Sequence, residues 1–286
     1  MAWIRHGTAR WLGAFVLLAL AAVVTVIWTI REERSPATAV AEPVPAVSAD
    51  ALRVEALRPL ARLHLTPPAS GRVTLAPLPS DGIAVTVEGP ARLTAPAREG
   101  EVFRVEPEGL AGPLTVALSR AATWRIELAP DAETLRFALD ELAVDTLRAG
   151  APLGGLEGTL PRSGRVELAT GSGRASLHAK SGSHLDSAFS LGSGALVLHV
   201  DPGVTGSVTL AAGAGPATLI ADAAVTVALQ VPSPAPPLAL EGTWWRHVDA
   251  DLVTWVRSPV PATPADAELA LIVSSHLGAP LAITYR

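Results

Sequence analysis

Three ionisable side chains recur at one fixed spacing in this sequence. Glu157, His178 and His199 stand 21 residues apart, and each directly follows a leucine. Carboxylate and imidazole groups are ligands of zinc, and a repeating β unit would align such residues on one outer face. Ile220 occupies the next position of the series, which favours a solvated polar column over a metal centre. We therefore predict no metal site and interpret Glu157, His178 and His199 as a candidate binding face.

Glycine-rich segments are the second candidate for chemistry. The run "GSGALVLHV", which begins at Gly192, has counterparts that begin at Gly171 and Gly213. A phosphate-binding loop needs its glycines between a strand and a helix N-terminus, whereas a strand-like run follows these glycines each time. The sequence also contains neither a Gly-x-Ser-x-Gly elbow nor a His-Glu-x-x-His pair. We predict no catalytic residue, no cofactor and no enzymatic activity; a polysaccharide-active enzyme with paired carboxylates is the weaker alternative.

Three tryptophans follow the Pro-rich segment "VPSPAPP" (231–237). These residues are Trp244, Trp245 and Trp255. Indole rings bury a large apolar area, and the open end of a stack of strands must be covered. We interpret the three side chains as a candidate aromatic cap, with a Trp-lined binding site as the alternative.

The elements that must position these residues have a period of 21. A fixed period of this order is typical of units that bury their apolar faces only by stacking on neighbours. Two apolar series run through the chain in such steps, and we expect both to point into a common core. They are Leu93, Leu114, Leu135, Leu156, Leu177, Leu198, Leu219 and Leu240, and Val105, Ile126, Leu147, Leu168, Phe189, Leu210 and Val231.

Each unit reads as two short strands around a glycine-rich corner, as in "RVELAT", "GSG" and "RASLHA" (165–179). Apolar and polar residues alternate along these runs, which predicts half-buried strands. The predicted fold is therefore all-β, a β-solenoid, with a β-sandwich of similar strands as the alternative. The segment 131–147 is compatible with a helix or with two strands, and its register within the period favours strands.

A third series consists of glycines at the same spacing. Its members are Gly150, Gly171, Gly192 and Gly213. We expect them at corners of the coils, where a bend needs either a positive φ or a close approach of two backbones.

Residues 11–30 form a run of twenty residues without a charge. A helix of that length rises about 30 Å, which spans the hydrocarbon region of a bilayer. Trp11 and Trp28 lie near its ends, where indole rings favour the lipid interface. We predict a single-pass signal anchor; a signal peptide cleaved after Ala41 is the alternative, although the run is long and the charged "REER" (31–34) precedes that site.

The predicted organisation follows from this anchor and from the change in residue composition and apolar/polar pattern after it. Arginines flank the anchor on both sides, so the distribution of charge does not decide its orientation. The short tail ahead of the anchor favours an extracytoplasmic position for the bulk of the chain. The predicted segments are an N-terminal tail at 1–10, a transmembrane helix at 11–30, a Pro/Ala-rich linker at 31–50, a β-solenoid domain at 51–237 and a C-terminal β cap at 238–286.

Charge and cysteine content exclude two classes of protein. The residues after 34 carry seven more acidic than basic side chains, and the only lysine is Lys180. A nucleic-acid-binding surface needs clustered lysine and arginine, so we predict no nucleic-acid partner. The chain has no cysteine, which excludes a disulfide framework and a thiolate metal site.

The chain resembles the toastrack-type putative adhesin domains of bacterial membrane-anchored proteins, including the C-terminal domains of Lia-type cell-envelope stress proteins. The resemblance covers about residues 90–286 and rests on runs such as "ATWRIEL", "GGLEGTLPRSGRVEL" and "GSGALVLHVDPGV". In those domains Gly-x-Gly corners alternate with turns like "LPxGV", to which Asp201-Pro202-Gly203-Val204 corresponds. The resemblance implies a toastrack-like β-solenoid without catalytic residues that interacts with or senses the cell envelope.

We therefore expect a membrane-anchored, extracytoplasmic interaction or sensing module. Its expected partners are the lipid bilayer, through residues 11–30, and an envelope protein or polysaccharide. A self-associating structural protein of the envelope is the alternative, because stacked strands leave open edges.

Overall fold

The computed structural model describes residues 54–55, 60–65, 72–78, 84–89, 91–94, 102–107, 112–128, 133–151, 154–211, 213–232, 236–249, 252–258, 263–274 and 279–286. All of them belong to one compact unit that extends from Val44 to Arg286. Their regular structure is β apart from one 3-10 turn, Pro264–Asp266. The strands are β1 (Val54–Glu55), β2 (Leu60–Leu65), β3 (Arg72–Leu78), β4 (Ala84–Glu88), β5 (Ala91–Thr94), β6 (Val102–Pro107), β7 (Leu114–Ser119), β8 (Thr123–Leu128), β9 (Thr134–Ala138), β10 (Ala143–Ala151), β11 (Gly155–Thr159), β12 (Arg165–Thr170), β13 (Ala175–Ala179), β14 (His184–Ser190), β15 (Leu196–Val200), β16 (Thr205–Ala211), β17 (Ala217–Ala221), β18 (Val227–Pro232), β19 (Leu238–Leu240), β20 (Trp244–Asp249), β21 (Leu252–Arg257), β22 (Leu269–Val273) and β23 (Leu281–Tyr285).

The strands form two long sheets that are parallel through most of their length. In the described part of the chain, sheet A has the order β1-β4-β7-β3-β9-β11-β13-β15-β17-β23-β19, and sheet B has the order β20-β21-β18-β22-β16-β14-β12-β10-β8-β2-β6-β5. From β8 to β17 consecutive strands alternate between the sheets, and each strand from β8 to β15 pairs in parallel with the strand two later in the sequence. We call one strand of sheet B with the following strand of sheet A a coil. This arrangement is consistent with a β-solenoid and departs from a sandwich, whose sheets are antiparallel.

Alternation of side chains explains why these segments are strands. In β13, β15 and β17 every second residue is buried, and the residues between are partly exposed. Buried residues of both sheets contact one another in a single apolar cluster. The ambiguous segment 131–147 forms β9 and part of β10, as its register predicted. A pattern of period two therefore decided the element type wherever one face could be buried.

The predicted apolar series face this core, but they are not continuous columns. Every member of the series from Val105 to Val231 is at most 3% exposed. Between β11 and β13 the register step is two positions shorter than the period, because Leu156 pairs with Ala175 and not with Leu177. The same shortened step joins β10 to β12. An even shift leaves each side chain on its own face, so the period breaks without exposing the core.

Both ends of the stack are interleaved, which the 21-residue period did not predict. Coil β2–β3 lies between β6–β7 and β8–β9, so Val73 separates Leu114 from Leu135. Coil β22–β23 lies between β16–β17 and β18–β19, so Ile283 separates Leu219 from Leu240. Leu93 does not continue the series of Leu114, because β5 pairs with β6 in sheet B and β7 belongs to sheet A.

Antiparallel strands cover the two ends. Strands β4 and β1 extend sheet A beyond β7, and β5 extends sheet B beyond β6. At the other end the hairpin β20–β21 pairs with β18. The predicted boundary at residue 237 does not coincide with a boundary of the fold, because β19, β22 and β23 belong to the stacked coils and only β20–β21 caps them.

Glycines occupy the corner through which the chain passes from sheet B to sheet A. A Cβ atom on Gly194 would lie 1.8 Å from the carbonyl oxygen of Gly173, and one on Gly215 would lie 1.9 Å from that of Gly194. A Cβ on Gly192, a member of the predicted series, would lie 2.3 Å from the oxygen of Gly171. The requirement here is close approach of stacked backbones rather than positive φ. We call residues 171–173, 192–194 and 213–215 the glycine corner.

No helix in the described part of the chain is long and apolar enough to cross a bilayer. The predicted tail, transmembrane helix and linker, which together cover residues 1–50, lie outside the described residues. The single-pass anchor therefore stays a prediction.

Candidate functional site

The two histidines of the predicted binding face lie side by side on sheet A. His178 of β13 pairs in register with His199 of β15, and their ring centroids are 6.1 Å apart in an edge-to-face arrangement. Both side chains point away from the core, because their neighbours in each strand are buried. Ile220 follows His199 in the next coil and ends the pair, as the sequence predicted.

Glu157 is not the third member of this column. The shortened register step places it beside Ser176, and Thr159 takes the position beside His178. Its carboxylate instead forms an ion pair with Arg136, at 3.0 Å, in the preceding coil. The prediction failed because the connection from sheet A to sheet B is two positions shorter in this coil: the register-aligned residues Leu156 and Val166 are ten positions apart, whereas Leu135 and Leu147, one coil earlier, are twelve apart.

The carboxylate of Asp201, in the turn after β15, is the acidic partner of the histidines in place of Glu157. Asp201 follows β15, and its Oδ1 atom lies 3.0 Å from Nε2 of His178 and 2.8 Å from Nη2 of Arg286. The histidine contact lacks the direction of a regular hydrogen bond and is electrostatic in character. Arg286 is placed by β23, since its backbone N–H donates to the carbonyl of Ala221.

A second carboxylate lies further along the same corner. Asp140 follows β9 and is 8% exposed. Its Oδ1 accepts a hydrogen bond of 2.6 Å from the hydroxyl of Thr159, and its Oδ2 accepts one of 2.7 Å from Nζ of Lys180. Lys180 reaches Asp140 from two coils away and lies two residues after His178 on the same face. We call Asp140, Lys180, Asp201 and Arg286, with the pair His178 and His199, the polar corner.

The charges of the polar corner depress the pKa values of both carboxyl groups. Burial acts to raise the pKa of Asp201, but His178 and Arg286 outweigh it and the pKa is lowered. Burial likewise acts to raise the pKa of Asp140, and hydrogen bonds from Lys180 and Thr159 outweigh it. A general acid needs a raised pKa, so neither carboxyl group is suited to protonate a leaving group near neutral pH.

His199 is the group that these surroundings keep neutral. Its pKa is lowered first by burial and then by the positive charges of Arg286, His178 and Arg174, against which Asp201 acts. A neutral imidazole can both donate and accept a hydrogen bond. In the described residues no group of three His, Asp or Glu side chains is placed to hold a metal ion. The geometry therefore provides fixed donors and acceptors for a polar ligand.

The tryptophans lie on the hairpin β20–β21 at the end of sheet B. Trp244 and Trp255 pack against the apolar cluster, and Nε1 of Trp245 donates to the carbonyl of Ser258 at 3.0 Å. Near the hairpin tip Val248 and Leu252 are 60% and 39% exposed, whereas Val253 is buried. The hairpin thus lies at the end of sheet B, and the role of the three rings as an aromatic cap stays a prediction.

A concavity lies on the outer face of sheet B. It has a volume of about 520 Å³, and small side chains such as Ala169, Ala188 and Ser190 line it. Glu167 at its wall forms ion pairs with Arg148 and Arg165, at 2.9 and 2.7 Å. These charges are paired, as those of the polar corner are, but most of the lining is small or apolar, so the polar corner has the larger set of polar side chains.

Sequence reasoning missed most of the polar corner, although one signal was present. Lys180, Asp201 and Asp222 stand one period apart, each directly after a strand of sheet A. Arg286 has no such signal, because coil β22–β23 enters the stack out of sequence order.

Comparison with known proteins gives one distant structural likeness. No protein-family model matches the chain, and no curated protein matches it. A solved structure described as a "putative cell adhesion protein" from Clostridium sporogenes aligns with 82% of this chain and 97% of its own length, at 11% identity and a TM-score of 0.34.

Proposed function

We propose that this protein is a membrane-anchored, extracytoplasmic module that binds a component of the cell envelope without catalysis. Within it, the polar corner is the contact surface. The apolar run 11–30 supports the anchor, and the resemblance to toastrack-type adhesin domains supports the envelope role.

One observation carries the contact surface. His178 and His199 project from adjacent parallel strands, and the hydrogen bonds of the ladder fix their separation. Rigid elements hold binding groups in place at a low cost in conformational entropy. Because Lys180 and Arg286 flank the pair, a ligand with hydroxyl or acidic groups, such as an envelope polysaccharide, fits this face best.

The binding test uses the compact unit 44–286 and isolated cell envelopes. We expect the unit to sediment with the envelopes, and we expect His178→Ala combined with His199→Ala to lower the retained fraction severalfold. His184→Ala is the matched control, because His184 is an exposed histidine of sheet B that lies outside the polar corner. No retention of the native unit, or release of sugar fragments by it, would contradict the proposal.

The anchor is tested separately in cells that express the full chain. Placing arginine at Leu18 and at Val23 puts two charges near the centre of the apolar run, which a bilayer disfavours. We expect the native chain in the membrane fraction and the double variant outside it. Equal distribution of the two chains between the fractions would contradict the predicted anchor and would leave the result of the binding test unchanged.

A further inference from the structure

Coil β22–β23 is built into the stack from a later part of the sequence. Its two strands pair in parallel on both sides, with β16 and β17 on one side and β18 and β19 on the other. Its inward residues are among the most buried of the molecule, at 3% exposure or less: Leu269, Leu271, Val273, Leu281 and Ile283. The coil therefore contributes a complete layer of the core.

The coils on either side of it keep the register that they would have without it. In sheet B, Gly206 and Val227 both face Leu269, and in sheet A, Ala217 and Leu238 both face Leu281. The members of each of these pairs stand one full period apart, as in the neighbouring coils. Coil β18–β19 can thus close onto β16–β17 by a shift of one strand spacing, about 4.8 Å, without any change of register.

The interleaved coil at the opposite end lacks this property. In sheet A, Leu114 and Leu135 both face Val73 and stand one full period apart. In sheet B, however, Phe103 and Ile126 both face Leu63, and their spacing is two positions longer than the period. Removal of coil β2–β3 would therefore leave the two sheets out of step, whereas removal of β22–β23 would not.

We propose that coil β22–β23 is exchangeable between copies of this protein. It inserts between β16–β17 and β18–β19 either of its own chain or of a second copy. Insertion into a second copy restores every contact of the closed chain, so the exchange costs association entropy rather than core burial. Residues 258–268 join the coil to the hairpin β20–β21, and eleven fully extended residues reach at most about 40 Å, several times the spacing of neighbouring strands. The inference goes beyond the proposed function, because its partner is the protein itself.

The absence of cysteine makes the exchange directly measurable by disulfide trapping. Thr209 of β16 pairs with Ile272 of β22, and both residues lie on the partly exposed outer face. Two full-length chains with different tags, one carrying Thr209→Cys and the other Ile272→Cys, are expressed in the same cells and oxidised. We expect a covalent heterodimer, because a coil inserted from a second copy brings the two sulfur atoms together.

A matched mixture provides the background. Ala188 of β14 pairs with Thr209 from the other side, and β14 belongs to a coil that cannot leave without breaking the stack. Thr209→Cys mixed with Ala188→Cys should therefore form no heterodimer, although position 188 is the more exposed one. A single chain with Thr209→Cys and Ile272→Cys must cross-link within itself, which verifies the fold of the variants.

A separate disulfide detects the state in which coil β22–β23 has left and β18–β19 has closed onto β16–β17. Thr209 and Gln230 both face Ile272, from opposite sides. A chain with Thr209→Cys and Gln230→Cys forms an internal disulfide only when β18 closes onto β16. If the internal Thr209–Ile272 cross-link forms while the heterodimer does not exceed the Ala188 background, exchange is wrong. Dimers that pair through the edge strand β20 would also leave the heterodimer at background and would overturn the proposal.

Discussion

The two corners of each coil differ in the space that they leave for side chains. At the glycine corner, where the chain passes from sheet B to sheet A, the backbones of successive coils approach so closely that a single methyl group does not fit. At the polar corner, where it returns to sheet B, a Cβ on Gly182 or Gly203 would meet no atom within 4 Å. The glycine corner therefore excludes side chains at its stacked glycines, whereas the opposite corner has room around Gly182 and Gly203 but not at Gly164, where a Cβ would lie 2.0 Å from the oxygen of Val144.

The largest effect is expected where this contrast is sharpest, at Gly194. A Cβ there would lie 1.8 Å from the backbone oxygen of Gly173, so Gly194→Ala must push two coils apart. We expect a loss of about 3 kcal/mol or more in the free energy of unfolding, the upper range of overpacking. Denaturant unfolding of the unit 44–286 measures it. A variant as stable as the native unit would show that the corner does not stack closely.

Removal of the Asp140 side chain tests the contribution of the polar corner to the free energy of unfolding. Asp140→Ala leaves the ammonium of Lys180 and the hydroxyl of Thr159 without their acceptor. Because the carboxylate is buried and charged, we expect a loss of about 2 kcal/mol. Asp222 of the same corner, which accepts one backbone hydrogen bond from Ala224, is the matched control and should lose less. Equal losses would mean that the link to Lys180 adds nothing.

A smaller effect is expected from the glycine of the turn after Asp201. Gly203 has a φ of +72° but open space around it, so Gly203→Ala strains only the backbone. We expect a loss of about 1 kcal/mol, and a smaller loss for Gly203→Asn, because asparagine tolerates this conformation better. Thermal unfolding of the two variants, with Gly194→Ala for comparison, gives the order. A loss at Gly203 as large as that at Gly194 would remove the distinction between the corners.

The smallest effect concerns the dependence of stability on pH at His199. Its folded pKa is lowered by burial and by neighbouring positive charges, so the unfolded chain binds the proton more readily. This contribution to stability is present above the unfolded pKa, about 6.5, and is lost as the pH falls below it. We expect the Tm of the native unit to fall more between about pH 7.5 and about pH 5.5 than that of His199→Gln. A His184→Gln control separates this effect from general acid destabilisation, and parallel curves would contradict the assignment.

The structure also explains how far sequence reasoning could reach. The alternation in "ASLHA" and "LVLHV" predicted strands, an outward His178 and His199, and inward leucines, because a period of two has only one buried face. Glu157 could not be placed in the same way, because its alignment depended on the length of one corner. Residue spacing predicts a column only while every coil has the same length.

By itself, the sequence determined the all-β class, the pairing of the histidines and the need for glycine at one corner. These properties follow from local alternation and from the equal length of most coils. Only the tertiary structure decided the order of the coils at both ends, because β2–β3 and β22–β23 are inserted between segments that are consecutive in the period. It also brought Arg286 to Asp201, a contact between residues 85 positions apart. The physical reason is that parallel strands accept any partner with a matching apolar face, and proximity along the chain does not choose between them.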